Sequence, residues 1–355
     1  KFDDKTPGLY KTTNYGKTWQ NISSNIPQGA YTRVVREDEK QKDLLFAGTE
    51  TGIYMSKNGG SNWSALQLNL PITPILDLML KHNDIIIATS GRSFWILDDL
   101  ELLRQNASKK NISLFQPADV ILANGGSQLN GNSKSFVGTN TLYGVNPASG
   151  AVIYYHLPEV ADSIDLKLEV FDQDDRLITS FSSVKDKSFK SYGGGPPSTP
   201  TIAKKKGLNR FVWNLRHKTM PGIPTAYIEA SYRGHKVSPG TYRIVLSYDN
   251  NTHSTEVNVL ANPLYPKDID YAAYDKYMSE MESSLTVMHN MTNDIYEKRK
   301  QLEGLVNSIK EEDKSKLKAV IEMADTLTKK MKVWDEEMVQ RKSQAYDDVE
   351  NFPNK

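Results

Sequence analysis

The chain contains no cysteine. Disulfides, zinc–thiolate centres and thiol nucleophiles are excluded with it. Net charge is nearly absent too: 44 Lys and Arg stand against 43 Asp and Glu, leaving +1. No global field favours nucleic acid or an anionic membrane surface, so no nucleic-acid partner is expected. No apolar run approaches the roughly 18–20 residues of a membrane-spanning helix, so no transmembrane segment is expected. Histidine is scarce, with six residues scattered along the chain. None falls in a His-Glu-x-x-His or His-x-His pattern, so spacing supports no metal ligand set. Gly193-Gly194-Gly195 does not lie between a strand and a helix, as a dinucleotide fingerprint must, and there is no phosphate loop. No cofactor is expected. Lys204-Lys205-Lys206 lacks interleaved aromatics and reads as a solvated loop.

What the sequence does have is a repeated phrase. Gly8-Leu9-Tyr10-Lys11-Thr12-Thr13-Asn14-Tyr15-Gly16-Lys17-Thr18-Trp19 returns as Gly52-Ile53-Tyr54-Met55-Ser56-Lys57-Asn58-Gly59-Gly60-Ser61-Asn62-Trp63. The two copies align without a gap and share Gly, Tyr, Asn, Gly and Trp. A period of about 40–45 residues with short strands is that of a β-propeller blade. The first half of each copy has the bulky residues of a strand, and Asn-x-Gly suits a turn needing positive φ. The following Trp can cover that turn. A degenerate third unit aligns Ala47 to Tyr54 with Ala88 to Trp95, and each is preceded by an apolar strand. The third copy runs into Asp98-Asp99-Leu100-Glu101, a capping-box-like start for a short helix with Asp98 at the cap.

The repeat resembles the Asp-box, or bacterial neuraminidase repeat (BNR), Ser-x-Asp-x-Gly-x-Thr-Trp, of sialidases and sortilin-type propellers. Asn14 and Asn58 stand where that box has Asp, and Asn62 stands where it has Thr. In those families the box is a turn staple, so the resemblance implies a structural role for Asn14, Gly16, Trp19, Asn58, Gly60 and Trp63. The phrase from Ala88 to Leu100 resembles the exit from the last blade in exported Bacteroidetes proteins. These carry BNR repeats and are often labelled sortilin-like or glycosyl hydrolase. The resemblance implies export to periplasm, cell surface or medium, with the rest of the propeller N-terminal to Lys1.

Length alone allows two or three domains. The expected fold is mainly β with α, in three parts. Residues 1–107 read as the last blades of a BNR propeller. Residues 113–262 read as an immunoglobulin-like sandwich of short antiparallel strands, such as Asp165 to Phe171 and Pro239 to Leu246. The pair Asn209 to Asn214 and Pro239 to Leu246 resembles the Ig-like module of flagellar hook-cap proteins. Residues 267–352 read as a long antiparallel helical hairpin. Tyr274, Met281, Met288, Ile295, Leu302 and Ile309 recur every seven residues, as do Leu317, Ala324, Met331 and Met338. Thr292 and Arg299 interrupt the companion seam, and Glu311 to Lys314 supplies the turn. A two-helix hairpin leaves a stripe for a third helix, the sandwich or a partner, and the methionines read as a core seam.

Few side chains suggest chemistry. Arg92 and Trp95 suit anion or sugar binding, with the indole as a stacking platform, but the favoured reading is an interface anchor that fixes the propeller to the sandwich. Asp98 and Asp99 are adjacent and so poorly placed for the roughly 6.5–9.5 Å separation of an inverting glycosidase pair. Asp98 is explained by a helix cap. Asp77 stands alone on a strand. Arg216-His217-Lys218 has no partner fixed by spacing and reads as a solvated strand end. Asp162-Ser163-Ile164 and Asp325-Thr326-Leu327 resemble an O-glycosylation acceptor pattern of exported Bacteroidetes proteins. No catalytic residue is identified, so whether the chain is an enzyme stays open. Two functions are expected: an exported scaffold binding a protein or glycan, with Arg92, Trp95 and Asp98 as candidate contacts, or a propeller glycoside hydrolase whose carboxylates lie mostly before Lys1.

Overall fold

The structure is a computed structural model that describes residues 3–105, 111–123, 146–159, 163–227 and 230–342. The chain is mostly β, with several sheets ahead of a C-terminal helical hairpin. It divides into two compact units, Lys1–Ser108 with Phe115–Ala118, and Lys109–Leu114 with Asp119–Lys355.

In the first unit β1 (Tyr10–Lys11) pairs with β2 (Gln20–Asn21). Then β3 (Thr32–Glu37), β4 (Leu45–Thr49), β5 (Ile53–Ser56) and β6 (Ser64–Ala65) form an antiparallel sheet in sequence order. A further antiparallel sheet comprises β7 (Ile75–Lys81), β8 (Asp84–Thr89) and β9 (Phe94–Leu97), followed by the short helix α1 (Leu100–Arg104). Strand β4 is buried throughout because its two faces serve two cores. Leu45 and Ala47 point into a cluster with Leu9, Ile22, Ile26 and Trp63. Phe46, with Leu44 just before the strand, points into another with Ile53, Ile75, Leu78 and Ile85. Period-2 alternation thus sorts one strand's side chains between two layers. Gly48 is needed where the layers meet: a Cβ there would lie 2.6 Å from Ile75 Cγ2 and 2.7 Å from Val34 Cγ1.

The two copies of the repeat close by the same hydrogen bonds. Asn14 Oδ1 accepts the Thr18 N–H at 2.9 Å, and Asn58 Oδ1 accepts the Asn62 N–H at 2.9 Å. The Gly16 and Gly60 N–H groups donate at 2.9 Å to Thr12 Oγ1 and Ser56 Oγ. In both copies Oδ1 makes the closing bond, an acceptor that Asn and Asp share, and in the first copy Asn14 Nδ2 also donates to Thr18 Oγ1 at 2.8 Å. The tryptophans diverge. Trp63 is buried and donates Nε1–H to Ile22 O at 2.6 Å, in the preceding repeat, whereas Trp19 is 62% exposed.

In the second unit β10 (Ser113–Leu114), β12 (Ala151–Leu157) and β15 (Gly207–Trp213) form one antiparallel sheet. The other has the order β11 (Val120–Ile121), β17 (Asn251–Leu260), β16 (Gly240–Tyr248), β13 (Leu166–Phe171), β14 (Leu177–Ser182), parallel only between β11 and β17. Ile153, Tyr155, Phe211 and Trp213 from the first share one core with Leu168, Val170, Ile244 and Leu246 from the second.

Helix α2 (Tyr271–Ser308) starts where Asp270 Oδ1 accepts the Ala273 N–H, a conventional cap. Helix α4 (Lys318–Met338) packs back along it. Between them Glu311–Lys314, expected as a turn, forms a one-turn helix, α3. The stripe expected to be buried is displaced in the first half of α2. Tyr274, Met281 and Met288 are exposed, while the adjacent stripe of Asp275, Met278, Glu282, Leu285, His289 and Thr292 is turned inward. Thr292, expected to interrupt the seam, is 1% exposed and donates its hydroxyl to Met288 O. The reason is what lies against it: His289 Nδ1 meets Pro221 O, and Asn293 Nδ2 donates to Gly222 O. Polar loop carbonyls select a polar helix face. Position 352 and Asp162 lie outside the described residues.

Candidate functional site

In the first unit, Arg92 is exposed in the turn between β8 and β9, between Gly91 at φ 76° and Ser93 at φ 64°. Its carbonyl accepts Trp95 Nε1–H at 2.8 Å, and the half-buried indole packs on the core beneath. Trp95 therefore spends its polar edge on the turn. Asp98 lies past the other end of β9, about 10 Å along the chain from Trp95 at strand rise and farther still from Arg92. The three do not converge. Nor does Asp98 cap α1. The cap position is Asp99, held at φ 61° with no side-chain cap bond, and its backbone N–H donates to the Asp84 carboxylate. Glu101 turns instead to Arg104 Nη1 at 2.9 Å. That arginine forms the buried ion pair of this unit, placing Nε 2.6 Å and Nη2 2.9 Å from the Asp38 carboxylate.

Among the described residues, a close group of titratable side chains lies in the second unit, around a residue expected to be solvated. After β15 the chain turns at Leu215, φ 58°, and runs antiparallel to the segment ahead of β16. Arg216 bridges Lys236, the Val237 N–H donates to Leu215 O, and the His217 N–H donates to His235 O at 3.0 Å. His217 and His235 are thus directly opposed, and opposed residues on a pleated pair project to the same side. Their rings stack with centroids 3.9 Å apart and planes 17° from parallel. Close approach demands glycine next door: a Cβ on Gly234 would fall 2.6 Å from the His217 carbonyl.

Helix α2 lays two carboxylates against the pair. Asp275 Oδ1 is 3.2 Å from His235 Nε2 and 3.8 Å from His217 Nε2. Glu282 Oε1 accepts the His235 backbone N–H at 2.5 Å, and Oε2 lies 3.0 Å from His235 Nδ1. That last contact is close in distance but poorly aligned as a hydrogen bond, so Nδ1 is buried in ion contact only. Asp275 and Glu282 are seven residues apart, two turns of helix, and so share a face.

Environment separates the two imidazoles. Burial lowers the pKa of His217, and neighbouring His235 lowers it further. Burial also opposes charge on His235, but Glu282 and Asp275 outweigh it and raise the value. The Glu282 carboxyl is opposed by burial and still lowered by His235. The His217 side chain is 17% exposed and that of His235 1%. His217 opens onto a cavity of about 480 Å³ with Met220, Ser279 and Glu282, and onto a smaller one with Asp172 and Arg176. Two histidine nitrogens and one carboxylate, within 4.8 Å of one another, are the described residues best suited to hold a metal ion.

The sequence did not single out His235, Asp275 or Glu282. The available signal was the stripe Asp275, Glu282 and His289, polar residues every seventh position beside the apolar heptad.

No protein-family model matches the chain, and no curated protein matches it. Among solved structures it is similar to one described as the "extracellular domain of the putative one component system" of B. thetaiotaomicron. The identity is 9%, covering 72% of this chain and 28% of that one, with a TM-score of 0.22. A second, described as a hybrid two component system of the same organism, gives 10% identity, the same coverage and the same TM-score. No helix among the described residues is long and apolar enough to cross a membrane.

Proposed function

We propose that the chain is part of an exported, multidomain BNR-propeller protein of sortilin-like type that serves as a binding scaffold for a protein or glycan. The observation that carries this reading is the open face of the β7–β9 sheet. Met79, Ile86, Ala88, Phe94 and Ile96 are neighbours in register, with Phe94 77% and Ile96 62% exposed, and Asp77 at their edge pairs with Arg36 at 3.0 Å. The opposite face of that sheet is buried against β4 and β5. Serial face-to-face packing of sheets supports a blade arrangement, and a contiguous apolar sheet face is the kind of surface that another protein layer covers. In the second unit, two sheets around one core support an immunoglobulin-like sandwich.

The test is a glycan array together with a reducing-sugar assay on the same glycans, and cross-linking of the tag-free chain to exported proteins. Retention of a glycan, or a cross-link mapping to Phe94 or Ile96, without sugar release is the expected result. Sugar release overturns the scaffold reading in favour of a glycoside hydrolase. Fractionation of the source cells tests export, and retention in the cytoplasm refutes it.

A further inference from the structure

We propose that His217, His235 and Asp275 form a binding site for a zinc-class divalent transition metal, with Glu282 holding His235 from behind. The donor atoms come from three segments, the stretch after β15, the stretch ahead of β16 and one helix, and lie within 4.8 Å of one another. Two neutral imidazoles and a carboxylate are a ligand set that zinc accepts, leaving a fourth position for water or a ligand. Glu282 supplies the outer contact. Its Oε2 lies 3.0 Å from His235 Nδ1, which directs Nε2 toward Asp275 and the metal position. Carboxylates behind a ligating histidine fix its tautomer and ring orientation. The buried Nδ1 has no aligned hydrogen-bond partner.

The site must close to bind. Zinc stands about 2.0–2.1 Å from histidine nitrogen, so tetrahedral donors lie about 3.3 Å apart. Stacked rings point their lone pairs along parallel lines, so the planes, now 17° from parallel, must splay. His217 is the ring free to do so. It borders the cavity of about 480 Å³, whereas His235 is packed against Tyr274 and clamped by Glu282. Arg176, which lines a cavity with His217 and Asp275, is paired with Asp172 and Asp174 at 2.7 and 3.0 Å. A bound metal would fasten α2 to both stretches.

The alternative is an ion cluster with no ligand, a charged His235 between two carboxylates. Calorimetric titration of the tag-free, chelator-treated chain with Zn²⁺, and visible spectra with Co²⁺, separate the two. The expected result is one Zn²⁺ per chain, tetrahedral cobalt bands, and a raised melting temperature. H217A and D275N should each lose affinity by at least tenfold, and E282Q by about 10–100-fold. H217A is a variant of a partly exposed side chain, and its circular dichroism serves as the folding control. Absence of stoichiometric Zn²⁺ binding, or equal binding by a folded H217A chain, overturns the proposal.

Discussion

Removing the guanidinium of Arg104 should destabilise the first unit far more than an ordinary arginine substitution. The Arg104 and Asp38 side chains are 8% and 2% exposed. They are joined by two hydrogen bonds, at 2.6 and 2.9 Å, and Arg104 Nη1 also reaches Glu101 and Asn83. In Arg104→Met the Asp38 carboxylate stays buried, facing the backbone N–H groups of Lys40, at 3.5 Å, and of Gln41. An uncompensated buried charge costs about 3–5 kcal/mol. With a urea dependence of about 1–3 kcal/mol per molar, the midpoint should fall by more than about 1 M. Hydrogen exchange at the β4 amides reads the first unit apart from the second. The double variant Asp38→Leu/Arg104→Met removes both charges and should return to within about 1 kcal/mol of the starting protein, because apolar replacement of a buried pair is often near neutral. Arg104→Met within about 1 kcal/mol of the parent would refute the reasoning, as would a double variant no better than the single.

The same pair makes a pH prediction. Burial pushes the Asp38 carboxyl up, but Arg104 pulls it further down, leaving it below the usual carboxylate value. A depressed folded pKa stabilises fully above about pH 4 and is lost as pH falls through the folded value; the parent should therefore lose more stability than the double variant between pH 6 and pH 3 in urea melts, and equal losses would contradict the assignment. Trp63→Phe removes the bond to Ile22 O and leaves that carbonyl buried, costing about 1–3 kcal/mol, whereas Trp19→Phe, at the matching repeat position, should stay within about 0.5 kcal/mol. Asn58→Ala should cost about 1 kcal/mol and Asn58→Asp much less, since Oδ1 alone accepts the Asn62 N–H; equal losses would show that the side-chain amide matters. Gly234→Ala should part the 215–220 and 232–237 segments, seen as loss of the nuclear Overhauser contact between the His217 and His235 rings.

The elements legible in the sequence are those whose causes lie within a few residues. The Asn-x-Gly turns appear where the repeat placed them, because Thr12, Asn14 and Thr18 satisfy one another within seven residues of chain. The alternation of Asp165 to Phe171 became β13, and the long periodic run became α2 and α4. Which stripe of α2 is buried was not legible. Apolar periodicity favoured Tyr274, Met281 and Met288, but the carbonyls of Pro221 and Gly222 chose His289 and Asn293. The helix start was also one residue off: the cap position is Asp99, whose N–H donates to the Asp84 carboxylate from the start of β8, a partner distant in sequence.

By itself, then, the sequence determined a cysteine-free, nearly neutral chain with a strand-rich repeat, a β-rich middle and a C-terminal helical pair. It also determined the chemistry available, histidines and carboxylates but no thiols. Only the tertiary structure decided that His217 and His235 would stack and that Asp275 and Glu282 would face them. Turn and strand preferences act between neighbours along the chain. The histidine pair depends on two segments meeting in antiparallel register, and its carboxylates on the rotation of α2 against them. Those are set by packing between residues far apart in the sequence, which local pattern does not encode.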